Sequence, residues 1–374
     1  CYFASHHIGT DAALMVTGSH NPPNYNGIKM NMLGRAFYGA DIEAIGARVA
    51  DGDYISGEGQ VVDVPILDKY VGRLIKDFSG HKELRVAWDP GNGAAGEVIE
   101  SLVARLPGRH FIINGEIDGR FPNHHPDPTV ETNLEQLKSI VDQEECDLGL
   151  AFDGDGDRIG LVDGQGRVLW GDQILVILAR PVLAELPGAT IICDIKASQL
   201  FQQEINRLGG KPLLWKTGHS HLKTKLAETG APLAGEVSAH IFFKHRYYGY
   251  DDAIYSAVRL LDILCNSEEN LAEIRDSLPV YVNTPEIRFD CPEDRKFAII
   301  EEVRARLAEG NGYTVNNIDG VRVENEHGWW LLRASNTQAV LVARCESFDS
   351  KGLACIKEAL VSQLRLSGLE PPVF

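Results

Sequence analysis

At 374 residues the chain is longer than one ordinary hydrophobic core serves, so two to four domains are expected. Its 44% hydrophobic content excludes a disordered polymer, and a formal net charge of −17 excludes the basic face that a nucleic-acid binder needs. Seven scattered cysteines without a Cys-x-x-Cys pair exclude a disulfide framework and a zinc site, and read as a reducing cytoplasm.

Cys1 is not a start methionine and no secretory pattern opens the chain, so sequence before it is expected to be missing. Residues 12–16 form a short apolar strand that stops at Thr17, Gly18, Ser19, His20, Asn21 and Pro22, which sets Ser19 on a tight exposed turn. Taken alone, such a serine bonds its local backbone. With His20, Asn21 and Lys29 close by in sequence, an anionic or phosphorylated Ser19 costs less. Residues 42–49 read as a helix, and the polar, glycine-rich stretch 52–59 leads to a first boundary near Val64.

A second unit opens with a helix over 67–78, a strand over 84–88 and a turn, Asp89 to Gly93, before a helix over 94–106. That turn lacks a Walker lysine or a third spaced glycine, so it reads as a plain strand-to-helix turn. His124 and His125 are adjacent and point apart, which favours loop packing over metal ligation. Thr132 and Glu135 have capping-box spacing for a helix running to about Gln143.

Two short apolar strands then flank Asp153-Gly154-Asp155-Gly156-Asp157-Arg158. Three carboxylates separated only by glycines repel one another unless a cation sits among them, and hard oxygen donors suit magnesium or calcium. A calcium-binding helix–loop–helix fails twice: Arg158 stands where its sixth loop position wants glycine, and Gly164 where its twelfth wants glutamate. The bland alternative is a solvated Asp/Gly hairpin. An open three-carboxylate site is a common partner of phosphate, which makes phosphoryl chemistry the leading hypothesis.

A third unit alternates helix (174–186), strand (190–194), helix (198–208), strand (212–215) and helix (222–228). The apolar-flanked segment with Glu236, Ser238 and His240 follows, then a helix over 252–265. Alternation of this kind predicts a mostly parallel sheet covered on both faces, with units one to three as versions of one α/β theme. The run 174–186 is the longest apolar stretch and is broken by Arg180 and Pro181, so no membrane span is expected. Past the proline-punctuated stretch 279–292 the last unit holds a helix (296–308), strands at 320–323, 329–333 and 339–344, and a helix over 352–364. Short turns between strands predict a small antiparallel α+β domain. Its turn, Arg333, Ala334, Ser335, Asn336 and Thr337, gathers donors that suit a phosphate or carboxylate, or makes an ordinary polar hairpin.

Together these four loops, one per unit, resemble the α-D-phosphohexomutase superfamily over nearly the whole chain. The resemblance matches Thr17 to Pro22 to the phosphoserine loop and Asp153 to Arg158 to the magnesium loop. It matches Gly235 to His240 to the sugar-specificity loop and Arg333 to Thr337 to the phosphate-binding loop. The surrounding wording (Asn26-Gly27-Ile28-Lys29, Lys216-Thr217-Gly218-His219) is most similar to the bacterial phosphomannomutase/phosphoglucomutase branch. Phosphoglucosamine mutases, which usually carry Gln where Val237 stands, resemble it less well. Two departures stand out. The opening strands of the family's first domain, with an arginine that meets the reacting phosphate, are absent, and Gln338-Ala339 replaces a frequent Thr-Pro.

The resemblance implies an α/β fold of three consecutive mixed α/β domains (1–64, the C-terminal part of domain 1; 65–168; 169–279) plus an α+β domain with an antiparallel sheet (280–374), around a central cleft. It implies interconversion of hexose 1-phosphate and hexose 6-phosphate, with mannose or glucose, through a phosphoserine and a hexose 1,6-bisphosphate. Ser19, His20, Lys29, Arg158 and His240 would be catalytic, and Ser19, Asp153, Asp155 and Asp157 would hold Mg2+. Lys196, His219, Glu236, Ser238, His240, Arg333, Ser335, Asn336 and Thr337 would bind substrate. Lys29 and His240 both remain candidates for the base. The expected partners are sugar phosphates alone, on a monomer, with no nucleic acid or membrane. The competing readings are a phosphoglucosamine mutase, a non-catalytic sugar-phosphate binder, and a phosphatase using the same metal loop.

Overall fold

The computed structural model describes residues 1–22, 24–32, 34–308, 310–335 and 338–372. Four β-sheets follow one another along the chain, each with its own helices. In the first, Ala12–Val16, Ile28–Met32 and Arg35–Ala36 form an antiparallel ladder in which Val16 pairs with Ile28 and Met15 with Lys29. The three described strands of this α/β unit pair antiparallel, because the chain returns from Val16 to Ile28 through a short connection. Thr17 N donates to Gly27 O at 3.0 Å and closes that loop, which carries Ser19. The helix Ala40–Asp51 buries none of its residues, and Leu14, Val16 and Ile28 on one sheet face are exposed.

The second sheet has the strand order Arg109–Ile112, Arg85–Asp89, Leu148–Phe152, Ile159–Asp163, Val168–Leu169. Its first three strands are parallel and its last two antiparallel. The reversal follows from the short connection between Phe152 and Ile159, which can only turn back on itself. That connection is the three-aspartate loop, and both strands that hold it are buried along their full length. The expected capping box at Thr132 is not formed. Glu131–Leu134 is a 3₁₀ turn, so Thr132 lies inside it, and the helix Glu135–Gln143 starts without a side-chain cap.

The third sheet runs Lys211–Trp215, Thr190–Asp194, Leu233–Gly235, Ile241–Phe243, parallel except for the last pair. That antiparallel pair is a hairpin too short to show a period of two in sequence, and Glu236 to His240 make its turn. A helix missed in the sequence, Leu271–Asp276, is capped by Asn270 and Glu273. The last sheet is antiparallel throughout and places Gly328–Ala334 between Val321–Asn325 and Val340–Ser347. Helices Glu293–Leu307 and Ser350–Leu366 supply Ile299, Val303, Ile356 and Leu360 to its core.

One continuous core runs through the second and third units, from Val71 and Trp88 through Leu175 to Phe243 and Tyr255. The last unit has a separate core and meets the third through a small cluster of Ile195, Trp329 and Leu331. No helix among the described residues is long and apolar enough to cross a membrane.

Candidate active site

Ser19 sits at φ 51°, a left-handed conformation uncommon for serine, and its amide donates to Thr17 Oγ1 at 2.8 Å. The turn aims the hydroxyl into the aspartate loop of the second unit. Ser19 Oγ donates to Asp153 Oδ2 at 2.6 Å and lies 3.0 Å from Asp155 Oδ1. Thr17 Oγ1 donates to Asp155 Oδ2 at 3.0 Å. Gly154 is what permits the approach, since a β-carbon there would stand 2.1 Å from the Ser19 carbonyl oxygen. The turn at Gly93 and Ala94 supports the loop from behind, with Ala94 N donating to Gly154 O at 2.9 Å.

Oxygens of Asp153, Asp155 and Asp157 lie within 4.8 Å of one another. Burial, then the charges of Asp157 and Asp155, push the Asp153 carboxyl well above the usual range, as expected for a cage that wants a cation. The Lys29 ammonium answers that demand in part, lying 2.7 Å from Asp155 Oδ2 and in contact with Asp157 Oδ2. Three carboxylates and a hydroxyl are a set of oxygen donors that fits a hard divalent ion such as Mg2+, in the place where the Lys29 charge now balances two of them.

On the other side of Asp157 stands His240. Its Nε2 is 3.2 Å from Asp157 Oδ1, and its Nδ1 is 2.8 Å from Glu236 Oε2 and 3.2 Å from Ser238 Oγ. Burial works against its charge, but Asp157 and Glu236 override burial and raise the imidazolium to about 10. Ile159 N donates to Ala239 O at 3.2 Å, and Arg158 Nε points at His240 Nε2 at 3.4 Å. The three-aspartate loop and the hairpin turn at 236–240 are therefore one assembly. Gly171 lets the following helix begin against that hairpin, since a β-carbon there would lie 2.3 Å from Glu236 O. His20 Nδ1 lies 3.3 Å from Ser19 Oγ, and burial followed by the Arg158 charge lowers its pKa to about 4. His219 stacks on His240 with ring centroids 5.7 Å apart.

A second charged group begins one step further on. Gly218 N donates to Glu236 Oε1 at 2.6 Å and Val237 N to Asp194 Oδ1 at 3.1 Å. Lys196 pairs with Glu286 at 2.9 Å and stands 3.7 Å from Asp194. Arg333 Nε donates to Asp319 Oδ2 at 3.1 Å, and the same oxygen accepts from Thr217 N at 3.0 Å, across the boundary between the third and fourth sheets. Ser335 is buried, with its amide on Val340 O at 3.0 Å. Asn336 and Thr337 lie outside the described residues.

Ser19, His20, Lys29, the three aspartates, Arg158, His219, Glu236, Ser238 and His240 thus meet in one place. Lys196, Arg333 and Ser335 belong to the adjoining group. His124 bonds Asp89 at 2.8 Å and is a packing residue. Sequence reasoning missed Asp319 and Glu286, which hold Arg333 and Lys196, and Asp251 and Lys223 behind His219. All four stand outside any motif; Asp319, Glu286 and Asp251 are far in sequence from the residues they hold, and Lys223, one helical turn from His219, has the spacing of an ordinary surface lysine.

All four domain families of the phosphoglucomutase/phosphomannomutase group match the chain: domain I over residues 1–55, domain II over 68–166, domain III over 170–281 and the C-terminal domain over 286–363. A phosphomannomutase/phosphoglucomutase of Pseudomonas aeruginosa is 43% identical over the whole chain, which spans 80% of that protein. A phosphoglucomutase/phosphomannomutase family protein of Burkholderia thailandensis, known from a crystal structure, is 40% identical with a TM-score of 0.91. That match covers 96% of this chain and 77% of that one. An Aspergillus fumigatus N-acetylphosphoglucosamine mutase, solved with GlcNAc-6P and magnesium, shares the fold at 15% identity and a TM-score of 0.66, over 98% of this chain and 90% of that one.

Proposed function

The chain belongs to the phosphoglucomutase/phosphomannomutase family, and from that premise we propose that it moves a phosphoryl group between the 1- and 6-hydroxyls of mannose and glucose phosphates, with Ser19 as carrier. The observation that carries this reading is the Ser19 hydroxyl held 2.6 Å from Asp153 and 3.0 Å from Asp155.

Asp153, Asp155 and Asp157 would hold Mg2+ beside Ser19, where the ion when bound offsets negative charge on the transferring group. Lys196, Arg333 and Ser335 supply cations and donors for the substrate's own phosphate. Glu236 and Ser238 face ring hydroxyls from a hairpin locked by Gly218 and Asp194. In the first transfer the bond between Ser19 Oγ and phosphorus breaks as the free sugar hydroxyl bonds to phosphorus and gives up its proton. The resulting hexose 1,6-bisphosphate turns over and returns its other phosphoryl group to Ser19. The phosphate clamp must therefore accept either end of the sugar.

The proton needs a base. Lys29 and His240 are both held charged in the arrangement described, against burial, by carboxylates. Lys29 depends wholly on Asp155 and Asp157, the residues that would turn toward a metal, whereas His240 keeps Glu236. That favours Lys29 as the group released to take the proton.

Ser19→Ala tests the proposal. In the full-length protein it should leave the fold intact and abolish conversion of glucose 1-phosphate to glucose 6-phosphate in a coupled assay. Undiminished turnover would remove Ser19 from the mechanism, and release of inorganic phosphate by the unaltered protein would favour a phosphatase.

A further inference from the structure

Lys223 is buried one helical turn after His219 on the helix His219–Thr229, with only 10% of its side chain exposed. Its ammonium meets three polar atoms: Tyr2 Oη at 2.8 Å, Asp251 Oδ1 at 3.0 Å and His219 Nδ1 at 3.0 Å. An ammonium has three N–H donors and no lone pair. Each of the three partners must therefore accept, and Nδ1 of His219 must present its lone pair. A neutral imidazole whose Nδ1 accepts carries its hydrogen on Nε2.

The arrangement reverses the usual carboxylate–histidine pair. There, Nδ1–H donates to the carboxylate and Nε2 is left as an acceptor or base. Asp251 Oδ2 lies 3.5 Å from His219 Nδ1 and has no hydrogen-bond partner among the described residues, so it stands ready for that ordinary pairing. Lys223 sits between and takes Nδ1 instead. Burial, then the Lys223 charge, lower the His219 pKa to about 4, so the ring is neutral near pH 7. The ring stacks on His240, whose Nδ1 is bonded to Glu236 and Ser238, and keeps 35% of its side-chain surface open. Its remaining polar edge is an N–H donor beside the hairpin that faces the sugar.

We propose that Lys223 is a positioning residue that holds His219 in the Nε2–H form, making it a hydrogen-bond donor to a hydroxyl oxygen of the bound hexose. This rests on the mutase reading, in which His219 meets substrate.

The test is a two-bond 1H–15N spectrum of the 15N-histidine-labelled full-length protein near pH 7.5, with His219 assigned from His219→Gln. His219 should show a protonated Nε2 and a bare Nδ1; a protonated Nδ1 overturns the proposal. In Lys223→Met, Nδ1 should gain the proton and turn to Asp251. KM for glucose 1-phosphate should then rise roughly tenfold, the size of one lost hydrogen bond, with kcat changed less than KM. Lys223→Arg, which keeps the donors, should restore the wild-type form in part. An unchanged spectrum and KM in Lys223→Met also overturn the proposal. Should Lys223→Met not fold, the wild-type spectrum and Lys223→Arg decide alone. A wild-type chain with the Nε2–H form that binds no hexose phosphate would count against the mutase reading and leave the positioning of His219 standing.

Discussion

A β-carbon on Gly154 would stand 2.1 Å from the carbonyl oxygen of Ser19, a residue of another unit. Something must give, and the Ser19 loop is the softer side: its sheet buries little apolar surface, while the strands beside Gly154 are wholly buried. Gly154→Ala should therefore move Ser19 away from Asp153 and Asp155 without unfolding the protein. The expected loss is roughly hundredfold in turnover, as for a misplacement of about 1 Å, with the melting temperature little changed. Steady-state kinetics beside thermal unfolding would check this, and full activity would mean that the contact is not needed. Ser19 and the aspartates were legible in sequence because their chemistry is written in adjacent residues. Lys223 and Asp319 were not, since a lone lysine and a lone aspartate acquire a role only from partners that folding brings in. Asp251 comes from 28 positions beyond Lys223, and Thr217 from 102 positions before Asp319.

At the scale of elements, apolar runs bounded by turn residues, such as the buried strand Thr190–Asp194, are legible in sequence, while the shortest pieces are not. Leu233–Gly235 and Ile241–Phe243 have three residues each, and only pairing in the sheet makes them strands. Thr132 had the right spacing for a cap, but a 3₁₀ turn claimed it first. The joint between the third and fourth units was equally hidden. Arg322, fully buried, donates from Nη1 to the carbonyls of Ile195 and Ala197, both at 2.7 Å, and lies 3.8 Å over the Trp329 ring. Arg344 donates to the carbonyl of Lys196 between them at 2.8 Å. These arginines fix the backbone that presents Lys196. Arg322→Met should keep the packing on Trp329 but leave both carbonyls unpaired, costing roughly 2–4 kcal/mol. Denaturant unfolding would measure it, with weaker hexose-phosphate binding as the second sign. Unchanged stability would mean that the carbonyls find other donors.

In the whole molecule the units are joined unequally. The second and third share one core, into which Phe3 and Tyr2 of the first also pack; the fourth adds a small apolar contact and a set of arginine bonds, and the first adds polar contacts at the site. Such a chain can carry −17 overall and still gather Lys29, Arg158, Lys196, Lys223 and Arg333 near one cleft, because each is set against a nearby carboxylate. An arriving phosphate then competes for cations that are already positioned. The most direct measurement is phosphopeptide mapping of the full-length protein after incubation with glucose 1,6-bisphosphate and Mg2+. One phosphoryl group per chain on the peptide containing Ser19, removed again by glucose 6-phosphate, is the predicted result. A protein that turns over hexose phosphates with Ser19 unmodified, or with the group on another residue, would contradict it.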